Sequence, residues 1–260
     1  MASQAPASRD DWDSHWENYA DSAVQNPAQQ MRHAFIARLL RESGGAAPEA
    51  RILDIGSGQG DLLQKLDRLL PDASLLGFEL SAKGVAISEG KVPRASFVVA
   101  DLFRPPPQLE TYLGWATHAV CSEVLEHVDD PTLFLKAAGK YLSIGAELIV
   151  TIPAGPMSAF DRHIGHRQHF NRPMVEAMLQ QAGYSPERVY ATGFPFFNFY
   201  RLLVIAGGER LARDVEAESK GIVTAMAGKL MKLFGTLFRA NMQDSRFGWQ
   251  LIAVARKVSP

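Results

Sequence analysis

Cysteine is nearly absent from this 260-residue chain: Cys121 stands alone, so no intrachain disulfide can form. That scarcity fits a reducing compartment. The first residues, Met1 to Asp11, hold no apolar signal core, and a cytoplasmic location is expected. Surplus charge is missing too. Twenty-seven lysines and arginines face 28 acids, and a formal net charge of −1 gives no electrostatic footprint for nucleic acid, which is not expected as a partner. Even the strongly apolar stretch 222–238 is too interrupted by lysine to span a bilayer. What remains is ordinary: 21% charged and 47% hydrophobic residues, in a chain long enough to bury a real core as one α/β domain with an insertion.

The most informative segment is Ile52 to Leu63. A buried-strand run from Arg51 to Ile55 ends in three alternating glycines, Gly56, Gly58 and Gly60, and then enters a helix-like stretch. Such a turn bares backbone N–H groups and the positive end of a helix to a ligand that approaches the main chain closely. The spacing departs from the dinucleotide fingerprint: the third glycine comes one position early, and Asp61 stands where that fingerprint wants glycine. Asp54 would also set a negative charge beside a pyrophosphate, whereas a cofactor carrying a sulfonium and an ammonium would welcome it.

The pattern D-x-G-x-G-x-G from Asp54 to Gly60 resembles motif I of class I S-adenosylmethionine-dependent methyltransferases. Other segments follow in the order that family uses. Ser74 to Leu80 reads as a second strand carrying Glu79, an acid placed to take both hydroxyls of a ribose. A third strand, Ala95 to Ala100, runs into Asp101 and Leu102, where the resemblance implies an acceptor for the adenine amino group and an apolar cover for the ring. The fourth, Ala116 to Cys121, runs into Ser122-Glu123-Val124-Leu125-Glu126-His127, a string similar to the motif of quinone-biosynthesis methyltransferases. The resemblance implies that Asp54, Gly56, Ser57, Gly58, Gly60 and Ser122 shape the methionine pocket. Glu79 would hold the ribose, and Leu80, Asp101 and Leu102 the adenine. The reaction would be an in-line methyl transfer from S-adenosylmethionine, leaving S-adenosylhomocysteine, to a small-molecule or lipid-like acceptor. A nicotinamide-dependent reductase and an inactive S-adenosylmethionine-binding protein are the rivals.

Strands alternate with helices from Arg51 to Ile152, which with the resemblance predicts a Rossmann-like, doubly wound, seven-stranded sheet whose last strand is antiparallel. Residues 1–45 are expected to form a helical lid bearing Trp12, Trp16, Tyr19 and Arg32. Residues 46–193 and 246–260 make the cofactor-binding domain. Residues 194–245, an insertion before the last strand, are too long for a simple connection. Its helix, 222–238, has four readings: packing on its own domain, a substrate-covering cap, a homodimer contact, or an amphipathic surface lying on membrane.

Histidine concentrates after strand five, in Asp161-Arg162-His163-Ile164-Gly165-His166-Arg167-Gln168-His169. The loop leaves the carboxyl end of a strand, where ligands bind in open α/β sheets. Three readings stand: a hydrogen-bonded structural loop; His163 or His166 as base or orienting group for the acceptor; and a metal site from Asp161, His163, His166 and His169. No cysteine reinforces the third, and no metal is expected. His127 is a further candidate for acceptor handling, and helix capping is its alternative role.

Overall fold

The computed structural model describes residues 12, 13, 16, 26–216 and 222–259, without the side chains of 207–216 and 222–229. Seven strands form one sheet: β1 Arg51–Ile55, β2 Ser74–Glu79, β3 Ser96–Val99, β4 Ala116–Ser122, β5 Leu142–Pro153, β6 Tyr184–Thr192 and β7 Gln250–Lys257. Their spatial order is β3-β2-β1-β4-β5-β7-β6. The first five run parallel, and β7 lies antiparallel between β5 and β6, as expected. The order reverses between β1 and β4, so a crevice opens at their carboxyl ends.

The unbroken apolar strand runs follow from two covered faces. Leu53 and Ile55 enter the core on one face, and Ile52, just before them, enters the core on the other. On the first face lie α4 Pro131–Gly139 and α6 Arg172–Gln181, through Leu135, Val175 and Leu179. On the second lie α1 Pro27–Glu42 and α2 Asp61–Leu69, through Ile36, Leu40, Leu63 and Leu66. Each such side chain contributes roughly 1.5–3 kcal/mol by leaving water. Sequence punctuation sets the helix starts. Asn26, Asp130 and Asn171 accept backbone N–H groups as N-caps, and proline occupies the first or second position of all three helices.

Two strands begin with irregular pairing. β5 reaches back to Leu142 through an irregularity opposite Ala116 and His118. β6 starts at Tyr184 because Pro186 is tolerated at a register shift on an edge strand, where its missing N–H costs no ladder bond.

The insertion forms α7 Phe196–Glu216 and α8 Ile222–Leu237. Phe197, Phe234 and Phe238 build a third small core with Ala28 at the start of α1. The apolar surface of α8 is divided: Phe234 is buried while Leu230 and Leu233 face solvent. No helix among the described residues is long and apolar enough to cross a membrane. Within the expected lid, Trp12, Asp13 and Trp16 are helical, and Tyr19 lies outside the described residues.

Candidate active site

At the end of β1 the chain turns back under the sheet edge, with the Gly56 and Ser57 N–H groups both donating to the Phe78 carbonyl, at 2.8 and 3.0 Å. Gly58 has φ +56°, in the left-handed region, and a Cβ there would stand 2.6 Å from the Trp16 ring. At Gly56 a Cβ would meet Val124 at 2.5 Å. Gly60 caps α2 and packs on Ser88, facing away from the crevice that the other two glycines line.

Two acids sit beneath this turn. Glu79, 6% exposed, accepts the Gly58 N–H on one carboxylate oxygen at 2.8 Å and the Ser81 N–H on the other at 2.9 Å. Leu80 and Trp16 contribute further hydrogen bonds to it. Burial raises its pKa and those N–H donors counter the rise. Asp54 is 3% exposed, and burial, then the Glu79 charge, push its pKa up to about 7. No ion pair reaches either acid among the described residues. The pair calls for a cationic or hydroxyl-bearing ligand.

The crevice holds two adjoining cavities. One, of about 340 Å³, is walled by Gly56, Glu79, Leu80, Asp101 and Leu102. Asp101 is fixed there by the Phe103 N–H at 2.9 Å. The other, of about 440 Å³, is walled by Asp54, Ser57, Gly58, Ser122, His163 and His166, with Tyr200 and Arg201 from α7 closing its far side. Gly56, His127, Trp12 and Trp16 border both. The tryptophans therefore stand between the cavities. Asp13 anchors them by accepting the Lys83 N–H at 3.1 Å and the Ser81 hydroxyl at 2.5 Å, at the start of α3 Ala82–Lys91. Trp12 meets His127 edge-on, with ring centres 4.9 Å apart.

The histidine loop divides its labour. α5 Ala159–His163 opens with a capping box in which Asp161 accepts the Ser158 N–H and hydroxyl at 2.7 and 2.8 Å. Arg201 binds the same oxygen at 2.7 Å. Burial alone would raise the Asp161 pKa, but Arg201 and Ser158 outweigh it and hold the carboxyl at about 2. Asp161 is thus the structural element of the loop. His163 is exposed at the cavity rim. His166 lies deeper, perpendicular to His127 with ring centres 4.8 Å apart. Burial lowers its pKa to about 4, so it is neutral at neutral pH.

Several residues at this site gave no sign in the sequence. Glu123, at φ +56°, accepts from Thr151 and Gln250 at 3.0 and 2.9 Å and pairs with Arg32 at 3.5 Å. Glu126 is fully buried against the second cavity. Both acids stand in a motif string whose spacing does not distinguish a buried acid from a solvated one. Gln250 and Arg201 arrive from distant segments, and nothing local marks them.

Residues 28–189 match the family model described as a methyltransferase domain. The chain belongs to that family. The Rossmann-like methyltransferase fold expected from Asp54 to Gly60 is the one observed, S-adenosylmethionine is accordingly the cofactor against which the crevice is read, and the nicotinamide-dependent reductase is set aside. This methyltransferase-domain chain is 32% identical over 151 residues to a ubiquinone biosynthesis O-methyltransferase of Caulobacter sp. (strain K31), covering 54% of the chain and 56% of that relative. It is 27% identical over 146 residues to a trans-aconitate 2-methyltransferase of Afipia carboxidovorans, covering 55% of each. The chain thus spans about half the length of these curated relatives. Its fold matches geranyl diphosphate C-methyltransferase from Streptomyces coelicolor A3(2), solved with Mg2+, geranyl diphosphate and S-adenosyl-L-homocysteine. That match has a TM-score of 0.55 and 14% identity, over 86% of this chain and 80% of that one.

Proposed function

We propose that this chain moves a methyl group from S-adenosylmethionine to a small-molecule acceptor held in the second cavity. The observation that carries the reading is the buried pair Asp54 and Glu79 beneath the glycine turn, which lacks a described ion-pair partner. Glu79 would hold the ribose from the wall of the first cavity. Leu80, Asp101 and Leu102 would hold the adenine. Asp54, Gly56, Ser57, Gly58 and Ser122 would line the methionine end, with Gly60 shaping the turn from behind. The cofactor supplies an electrophilic methyl group on a sulfonium, so the protein's task is chiefly to align donor and acceptor.

His127 and His166 meet edge to face at the wall of the second cavity, where they would orient the acceptor, and His163 would guard its rim. Trp12 and Trp16 serve as the lid. Phe197, Tyr200 and Val204 make the insertion a cap over apolar acceptor surface, which is favoured over the membrane and dimer readings because Phe197, Phe234 and Phe238 turn inward. The test is S-adenosylhomocysteine release with candidate acceptors. His166→Ala should cut turnover by about 100-fold or more, in the range of one positioned acid–base or orienting group, while leaving cofactor affinity unchanged. An unaffected rate would remove His166 from the acceptor site.

A further inference from the structure

We propose that Glu126, His127 and His166 form a binding site for one divalent first-row metal ion of the Zn2+ or Mn2+ type, at the acceptor end of the second cavity. One carboxylate and two imidazoles supply the donor atoms, which all lie within 4.8 Å of one another. An ion with bonds of about 2.1 Å holds tetrahedral donors roughly 3.4 Å apart, so modest side-chain rotation closes the set.

The second and independent observation is Glu126 itself. It is 0% exposed, and among the described residues its carboxylate oxygens find no partner beyond the residue's own backbone N–H. An ionised carboxylate in that setting needs a cation. A protonated one would still need an acceptor for its proton, which the described surroundings do not supply. The nearby charges do not fill the need: Arg32 is paired with Glu123 at 3.5 Å, and Arg201 with Asp161 at 2.7 Å. A metal ion satisfies both oxygens and offsets the crowding of Glu123 and Glu126.

The hydrogen-bond chain behind His166 points the same way. The Gly155 carbonyl can only accept, so His169, 3.1 Å away through Nδ1, carries its proton there. Its Nε2 is then an acceptor and takes the Nδ1 proton of His166 at 3.2 Å. This assignment leaves the Nε2 lone pair of His166 bare, as a metal-ligating imidazole requires, with His169 as the outer partner that fixes its tautomer. A second grouping, Asp161 with His166 and His169, is the weaker one. There the carboxylate is already committed to Ser158 and Arg201, and His169 to Gly155.

Bordering the cavity, the ion would take an oxygen of the acceptor as a further ligand, which favours acceptors bearing a hydroxyl or carboxylate oxygen. That role rests on reading the second cavity as the acceptor site, whereas ion binding does not. The experiment strips the full chain with a chelator, then titrates Zn2+, Mn2+ and, as an absorbing probe, Co2+. Metal content is read by mass spectrometry and S-adenosylhomocysteine affinity by calorimetry.

One equivalent of metal should bind. Glu126→Gln and His166→Asn should each weaken it by more than about 100-fold, and His169→Ala by about tenfold to 100-fold, as an outer partner does. Retained S-adenosylhomocysteine binding reports that each variant is folded. A wild-type chain that takes up no metal overturns the proposal, as does unchanged affinity in Glu126→Gln and His166→Asn. Metal binding without any S-adenosylhomocysteine binding would leave the site standing and sink the cofactor reading instead.

Discussion

Asp54 shows how burial at one residue becomes a pH dependence. Its carboxyl is lifted from the ordinary 3.8 to about 7 by burial and by Glu79, a preference for the neutral form worth roughly 4 kcal/mol. The folded-state pKa lies above the unfolded one, so this contribution is complete below pH 4 and is lost as pH rises through 7. The free protein should therefore lose stability between about pH 4 and pH 7. Asp54→Asn should flatten that slope, as followed by urea denaturation; an unchanged slope would place the titration elsewhere. A cationic ligand reverses the preference and ionises Asp54. The thermal shift given by S-adenosylmethionine should accordingly grow from pH 6 to pH 8, and more than that of S-adenosylhomocysteine, which lacks the sulfonium.

Among the elements, α5 is five residues long and depends on its cap. Ser158 and Asp161 supply one half of the box each, and Ser158 donates two of the three bonds that hold the Asp161 carboxylate, the third coming from Arg201 in α7. Ser158→Ala should cost about 1–2 kcal/mol, a fall in Tm of roughly 3–6 °C for a chain of this size, measurable by scanning calorimetry. It should also loosen the contact between α5 and the insertion, because the Asp161 carboxylate then loses its hydroxyl donor and keeps only a backbone N–H beside Arg201. Elements such as these were only partly legible in the sequence. The Ser-x-x-Asp box is a local signal, but its coupling to Arg201 depends on how the insertion folds back over the sheet. β6 hid its first residues behind Pro186, since the sequence does not reveal that this strand is an edge.

Across the whole molecule, legibility followed the sheet. The acids at the ends of β1 and β2, and just beyond β3, could be placed from sequence because a parallel strand delivers its last side chain to the same edge of the sheet. Asp54, Glu79 and Asp101 do meet at one crevice. The acceptor side was harder. It is assembled from α1, the turn after β4, the loop after β5, α7 and β7, and its polar groups find one another only through long-range packing, as Gln250 finds Glu123. The exposure of Leu230 and Leu233 likewise reflects which face of α8 the Phe234 and Phe238 cluster claimed.

The most direct measurement is a calorimetric titration of S-adenosylhomocysteine into the wild-type chain and into Glu79→Ala. One site per wild-type chain is expected. The variant, deprived of two charge-assisted hydrogen bonds to the ribose, should bind about 100-fold more weakly. Equal affinity for the two proteins, or no binding to the wild type, would contradict the placement of the cofactor at the glycine turn.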